Sequence, residues 1–130
     1  MVRTGYAELH CHTNFSFLDG ASHPEELAEE AHRLGLTGLA VTDHDGLYGV
    51  VRFAEAARPI GLPTVFGAEL TLGVASGDDR NGGHAADPMS ANRKGGNAGF
   101  ADTHGEHVLI LAEGPSGYAA LARKIGRAHV

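Results

Sequence analysis

Two histidines separated by a single residue, His10 and His12, follow a short apolar run near the start of the chain. In an extended strand, residues i and i+2 project from the same face, so both imidazoles would point into the same space. Neutral imidazole is a favoured ligand of zinc and other transition metals, and a nearby carboxylate such as Asp19 can complete a site of this kind. The pattern by itself fits a surface strand with two solvated histidines equally well.

The segments after His12 alternate between helical and strand patterns. Apolar residues at helical spacing predict a helix that begins near Ser22, the candidate N-cap, and ends at Gly35. The patterns that follow predict a strand over residues 36–42, a helix over residues 48–58 and a strand over residues 63–68. Such alternation predicts parallel strands with right-handed crossovers, and functional side chains gather at the carboxyl edge of sheets built this way.

Residue types that bind metals stand at the ends of these strands. Asp43 and His44 follow the second strand, and Glu69 follows the third. Since the carboxyl ends of parallel strands share one edge, we expect a metal site there.

His107 is a further candidate ligand, although it precedes a strand predicted over residues 108–112. It can reach the same edge if that strand runs antiparallel, or if the segment before it returns over the site. The alternative is a histidine that caps the start of a strand.

These residues, in this order, resemble the motifs of the polymerase and histidinol phosphatase (PHP) superfamily. The motifs are His10-Cys11-His12, Asp19 within residues 15–20, Thr42-Asp43-His44, Gly67-Ala68-Glu69 and His107. The residues around Asp19, together with the Pro24-Glu25-Glu26-Leu27 run, are similar to the amino-terminal domain of bacterial C-family DNA polymerases. Among these, the similarity is greatest to the error-prone, alpha-type subunits that act in translesion synthesis. The resemblance covers nearly the whole chain outside one Gly-rich segment.

The resemblance implies a distorted (β/α)7 PHP barrel that holds up to three divalent ions, for which Zn, Mn or Fe would suit the ligands. It implies that His10, His12 and Glu69 bind the first ion. It also implies that Glu69 bridges to a second ion bound by His107, and that Asp19 and His44 bind a third. Asp43 is expected to serve catalysis as a carboxylate that orients an imidazole, and not as a direct ligand.

The 130 residues are expected to form a truncated PHP domain with an α/β fold, in which parallel βα units build about half of a barrel. A stretch over residues 76–106 is rich in glycine and lacks periodicity, which predicts a flexible insertion within the domain. The pattern stops inside a predicted helix near Val130, which favours a fragment of a longer polymerase. Further ligands of the family's cluster would then lie beyond this residue.

The formal net charge is −6, and lysine and arginine form no cluster or stripe. Binding by phosphate neutralisation needs such a basic footprint, so we expect this segment to reach DNA through the parent polymerase. Accessory proteins of the replisome or mutasome are further expected partners. Cys11 is the single cysteine, which excludes an internal disulfide and favours a cytoplasmic setting. No apolar run approaches the length of a membrane span, and no signal peptide is recognised.

The implied function is metal-dependent phosphoester hydrolysis within an error-prone DNA-directed DNA polymerase, a nucleotidyltransferase of DNA replication and repair. A 3′–5′ exonuclease is the candidate activity of the domain. Two alternatives stay open at this point. One is a free-standing phosphatase, similar to histidinol phosphatase, that acts on a small phosphate monoester. The other is a non-catalytic structural module of the polymerase.

Overall fold

The computed structural model describes residues 5–72 and 106–128. Its strands are β1 (Ala7–Glu8), β2 (Gly38–Val41), β3 (Thr64–Leu72) and β4 (Glu106–Leu111), and its helices are α1 (Pro24–Leu34), α2 (Val50–Ala57) and α3 (Gly114–Ala128). The strands form a four-stranded sheet in the order β1-β2-β3-β4. The first three strands are parallel, as predicted, and β4 runs antiparallel to β3. This mixed sheet is consistent with part of an α/β barrel, and its completion to seven strands stays a prediction.

The direction of β4 explains how a residue at the start of a strand reaches the carboxyl edge. His107 is the second residue of β4 and pairs with Thr71, near the end of β3. Because β4 is antiparallel, its first residues lie beside the last residues of its neighbour. The structure therefore confirms the first of the two routes considered for His107.

The predicted helix starts need correction at two places. The N-cap of α1 is His23 and not Ser22, because Pro24 occupies the first turn and Glu26 accepts a hydrogen bond from the His23 backbone N–H at 2.8 Å. Gly35 ends α1 in the left-handed conformation with φ 71°, as predicted. Helix α3 begins at Gly114, before Ser116, which the sequence pattern predicts as its N-cap.

The core lies between β2 and the first two helices. It consists of Ala28, Ala31, Leu39, Val41, Phe53, Ala57 and Leu62, all of which are buried. Alanines on the packed face of α1 allow close approach of the helices, and every residue of β2 is buried. A strand with both faces covered is typical of parallel α/β sheets. This packing fixes the end of β2, from which Asp43 and His44 emerge.

The predicted insertion over residues 76–106 lies outside the described residues, apart from Glu106, which opens β4. Among the described helices, none combines the length and apolar character that a membrane crossing requires.

Candidate metal centre

All the predicted ligands meet at the carboxyl edge of the sheet, and we call them the donor cluster: His10, His12, Asp19, His44, Glu69 and His107. The loop after β1 carries the first three, and the loop after β2 carries His44. Glu69 and His107 lie on β3 and β4. An isolated parallel bridge joins His44 to Glu69, so the pairing of β2 with β3 continues into the cluster.

Glu69 contacts three histidines of the cluster. Its Oε2 lies 2.5 Å from His10 Nε2 and 3.0 Å from His12 Nε2. Its Oε1 lies 3.4 Å from His107 Nδ1, a contact without hydrogen-bond geometry. The side chain is only 12 % exposed, and this burial acts to raise the pKa of Glu69. The His10 hydrogen bond and the nearby His44 outweigh burial, so the pKa of this carboxyl lies below its ordinary value.

Asp19 is the second carboxylate of the cluster. Its Oδ2 lies 2.9 Å from His44 Nε2 and also contacts His12 Nδ1. The hydrogen bond from His44 lowers the pKa of Asp19 below its ordinary value. The two nitrogens of His12 therefore face two different carboxylates, Asp19 and Glu69, and this ring lies between two halves of the cluster.

The donor atoms form three interlocking groups. The groups are His10, His12 and Glu69; His12, Asp19 and His44; and His44, Glu69 and His107, and the atoms in each lie within 4.8 Å of one another. Within residues 5–72 and 106–128, the buried Nδ1 atoms of His44 and His107 have no hydrogen-bond partner. Buried nitrogens left without a partner cost free energy, and an imidazole nitrogen is a good metal ligand. The residues therefore fit divalent metal ions.

Asp43 lies in the interior beside the cluster and is 1 % exposed. Its Oδ1 accepts hydrogen bonds from the Thr13 backbone N–H at 2.7 Å and from Ser16 Oγ at 2.8 Å, and its Oδ2 accepts one from Thr13 Oγ1 at 2.9 Å. We call these three residues the Asp43 network. Its hydrogen bonds go to the loop between His12 and Asp19 instead of to an imidazole ring, which differs from the role expected from the sequence.

Sequence reasoning did not identify Thr13 and Ser16, which tie three ligand-bearing segments together. Thr13 directly follows His12. Ser16 Oγ accepts a hydrogen bond from the His44 backbone N–H at 3.1 Å, and the Ser16 carbonyl accepts one from the Asp19 backbone N–H at 3.0 Å. The Asp43 network thus fixes where His12, Asp19 and His44 stand relative to one another.

Asp45 holds the end of β3 from the loop after β2. Its carboxylate accepts hydrogen bonds from the backbone N–H and Oγ1 of Thr71, both at 2.8 Å. Its own backbone N–H donates to the Glu69 carbonyl at 2.9 Å, and its φ is 49°. Thr71 pairs with His107, so these contacts order the end of β3, which carries Glu69, beside the start of β4, which carries His107.

Cys11 packs against the hydrophobic core. Cys11 and Thr42 exchange two hydrogen bonds: the Thr42 backbone N–H donates to the Cys11 carbonyl at 2.9 Å, and the Cys11 backbone N–H donates to the Thr42 side-chain Oγ1 at 3.1 Å. This pairing beyond the end of β1 keeps the two imidazoles on one side of the chain. Burial raises the pKa of the Cys11 thiol.

A cavity of about 780 Å³ lies elsewhere, between α2, β3 and the start of α3. Val51, Phe66 and Tyr118 are among its lining residues, and no member of the donor cluster is. The cavity is therefore separate from the candidate metal centre.

Comparisons with known proteins agree with this geometry. A family model described as the PHP domain matches residues 8–130. An "Error-prone DNA polymerase" from Nocardia farcinica is 51 % identical over 96 % of this chain and 12 % of its own length. A protein of the same name from Mycobacterium tuberculosis is 52 % identical over 96 % of this chain and 10 % of its own length. The chain thus spans about a tenth of the length of these relatives.

Two solved structures share part of the fold. One comes from Bifidobacterium adolescentis and is provisionally named a metal-dependent phosphoesterase. It is 43 % identical, with a TM-score of 0.50, over 54 % of this chain and 24 % of its own. The other is an amidohydrolase from Chromobacterium violaceum, solved with bound sulfate and no metal. It is 33 % identical, with a TM-score of 0.50, over 55 % of this chain and 25 % of its own.

Proposed function

The chain belongs to the PHP domain family, and from that premise we propose that it is the metal-binding phosphoesterase domain of an error-prone DNA polymerase. The observation that carries the proposal is the convergence of four histidines and two carboxylates into three donor groups at one edge of the sheet. Imidazole and carboxylate donors together suit Zn, Mn or Fe. The proposed cofactors are therefore divalent ions, up to three in a complete barrel of seven strands.

The chain's own residues would hold and orient these ions. His10, His12 and Glu69 would bind one, Asp19 and His44 a second, and His107 with Glu69 a third. Because the pKa values of Asp19 and Glu69 lie below their ordinary values, both carboxylates are ionised at neutral pH and can accept a cation without first losing a proton. When bound, ions in such a site lower the pKa of water and neutralise the charge on phosphoryl oxygens.

The proposed substrate is the phosphodiester at the 3′ end of a DNA strand, which makes the activity a 3′–5′ exonuclease. The net charge of −6 leaves little attraction for phosphates without cations, so the ions would supply most of it. Further contacts with DNA are proposed for the remainder of the parent polymerase, where replisome or mutasome proteins would also bind.

Asp43 is proposed as a positioning residue of this site. Its hydrogen bonds reach Thr13 and Ser16 of the ligand loop, and it belongs to none of the three donor groups. Residues that orient ligands typically contribute about 10–100-fold to metal affinity or activity.

The experiment that tests the proposal compares the intact protein with its His10→Ala and His32→Ala variants. His32 is an exposed histidine near the end of α1, so its substitution is a matched control outside the cluster. We expect His10→Ala to lower both the metal content and the release of nucleotides from the 3′ end of single-stranded DNA, with nucleotide incorporation unchanged. The control should equal the unsubstituted protein in all three measurements.

Equal metal content and equal hydrolysis in His10→Ala and the unsubstituted protein would overturn the proposal and favour a structural module. Hydrolysis restricted to small phosphate monoesters, with none on DNA, would favour the phosphatase alternative instead.

A further inference from the structure

Of the four exposed aromatic side chains among the described residues, all but Tyr6 lie in the loops that carry the donor cluster. Phe15 and Phe17 belong to the loop between His12 and Asp19, and Tyr48 follows His44 closely; their exposed fractions are 39 %, 53 % and 56 %. Aromatic residues in the interior pack against one another, with Phe66 between Phe53 and Tyr118. Burial therefore does not explain the aromatic residues of these two loops.

Phe15 and Tyr48 form a pair of rings, which we call the aromatic pair. Their centroids lie 6.5 Å apart with an interplanar angle of 31°. Tyr48 packs so closely on Gly46 that a Cβ there would lie 2.1 Å from Cε2 of the ring. Any residue larger than glycine at position 46 would therefore clash with the Tyr48 ring in this position.

A chain of two contacts links Phe15 to the first two helices. The Arg52 guanidinium lies 5.9 Å from the centroid of the Phe15 ring. Arg52 in turn donates hydrogen bonds to both carboxylate oxygens of Glu25, at 2.6 and 2.9 Å. The Phe15 backbone N–H donates to Thr13 Oγ1 at 3.1 Å, so the aromatic pair is also connected to the Asp43 network.

The aromatic pair and the donor cluster lie at the same edge of the sheet. Glu25 and Arg52 belong to the first turns of α1 and α2, and each helix leads from one parallel strand to the next, so both start at the carboxyl edge. Phe15 lies between the ligands His12 and Asp19 in sequence. The rings are thus placed beside the site where phosphodiester hydrolysis is proposed.

We propose that Phe15 and Tyr48 bind the terminal nucleobase of the strand that the metal centre hydrolyses. This inference rests on the proposed function and adds a binding site for the base. Aromatic rings stack on any base, at about tenfold or more in affinity per base, and this suits an exonuclease that must accept every sequence. No basic stripe assists strand binding in the sequence, so stacking supplies affinity that phosphate contacts would otherwise give. The ordered rings lose little freedom when a base binds.

The test uses the intact protein and two single-stranded oligonucleotides, one with a normal base on its 3′ nucleotide and one with an abasic 3′ nucleotide. We expect the unsubstituted protein to have a KM about tenfold lower for the normal end. Phe15→Ala should abolish this preference, because the ring can stack only where a base is present. Tyr48→Phe retains a ring and should keep the preference, and Phe15→Leu retains an apolar side chain and should lose it.

Val51→Ala is the matched control, because it removes an exposed apolar side chain from α2 near Arg52 without touching the aromatic pair. It should behave as the unsubstituted protein does. Equal losses on both oligonucleotides in Phe15→Ala would overturn the inference, since they would indicate a structural or partner-binding role. Equal KM values for the two ends in the unsubstituted protein would also overturn it and leave the proposed function intact.

A binding measurement with chelator separates this inference from the proposed function. An oligonucleotide with 2-aminopurine at its 3′ end should lose fluorescence on binding to the unsubstituted protein, and less so with Phe15→Ala. Quenching that depends on Phe15 in a protein without nuclease activity would support the base site and contradict the exonuclease. Quenching that is the same in both proteins would overturn the base site.

Discussion

Two groups of polar side chains lie next to each other at the carboxyl edge of the sheet. They differ in how completely their polar atoms are paired in hydrogen bonds. In the donor cluster, carboxylates and imidazoles lie close together, and the buried Nδ1 of His44 has no hydrogen-bond partner in the part of the chain that the structure describes. In the Asp43 network, both carboxylate oxygens accept hydrogen bonds, and its three residues are at most 1 % exposed. On the proposed function, cations would complete the donor cluster, whereas the Asp43 network is complete within the protein.

The two groups therefore have different proposed roles: the donor cluster carries the chemistry, and the Asp43 network holds the residues of the cluster in place. The Asp43 network joins the segments of His12, Asp19 and His44 through hydrogen bonds that need no metal. The ligands can then be held near their final positions before ions bind, which lowers the cost of assembling the site. Substitutions in the two groups should therefore respond differently to metal.

The largest effect on stability is expected from Asp43→Asn. The new amide group would face donors of Thr13 and Ser16, and each buried donor left unsatisfied costs about 1–3 kcal/mol. We expect a loss of about 3 kcal/mol in the free energy of local opening, with metal and with chelator alike. Native-state hydrogen exchange of the β2 amides in the intact protein measures this quantity.

The matched control is Asp19→Asn, which alters a carboxylate of the same loop whose side chain is 40 % exposed. It should change opening with chelator far less than Asp43→Asn does. Equal losses in the two variants would contradict the distinction between the donor cluster and the Asp43 network.

Glu69→Gln, unlike Asp43→Asn, should change the stability mainly when metal is present. At a metal concentration of 100 times Kd, binding stabilises the native state by about 2.7 kcal/mol. We expect the unsubstituted protein to show this gain in hydrogen-exchange protection and Glu69→Gln to lose most of it, because Glu69 belongs to two of the donor groups. Glu29→Gln, at an exposed position of α1, is the control. A full metal-dependent gain in Glu69→Gln would show that the ions bind elsewhere.

Ser16→Ala tests the connection between the two groups and should have a smaller effect. It removes one hydrogen bond to Asp43 and leaves the His44 backbone N–H without its Ser16 partner. We expect a loss of about 1–2 kcal/mol in stability and about tenfold in metal affinity, measured by titration of the intact protein. Ser116→Ala, at an exposed site on α3, should leave both unchanged. Unchanged metal affinity in Ser16→Ala would indicate that the network does not position the ligands.

The smallest effect is expected for the exposed ion pair between Glu25 and Arg52. The hydrogen bond from Arg52 lowers the pKa of Glu25 below its ordinary value of 4.5. A lowered carboxyl pKa contributes stability that is present above pH 4.5 and is lost as the pH falls through the folded value. Glu25→Gln should thus be slightly less stable than the unsubstituted protein at pH 7 and equal to it in strong acid, as hydrogen exchange of α1 would measure. A difference that persists in strong acid would contradict this cause.

The convergence of the candidate ligands could be predicted because their positions follow a rule that is visible along the chain. His10, His44 and Glu69 come directly after strand patterns, and parallel strands bring such positions to one edge. The position of His107 was harder to predict from the sequence, because it depends on the direction of β4. The direction of β4 follows from its pairing with β3. In the sequence, the two strands are separated by residues 76–106, whose pattern predicts no secondary structure.

The Asp43 network could not be predicted for a different reason. Its hydrogen bonds join Asp43 to residues about 30 positions earlier in the chain, and Thr13 and Ser16 resemble ordinary loop residues. Local sequence shows that a buried strand ends at Asp43, but not which donors surround it. The N-cap at His23 was missed because Ser22 has the more typical side chain, while Pro24 set the start of the helix.

Anomalous diffraction from crystals of the intact protein soaked in Mn²⁺ tests the metal centre most directly. We expect peaks between the donor groups, about 2.0–2.3 Å from imidazole nitrogens and carboxylate oxygens of the cluster, with His10 and Glu69 beside the same ion. A saturated crystal with no peak within reach of His12 and Glu69 would contradict the metal centre, and with it the proposed hydrolysis.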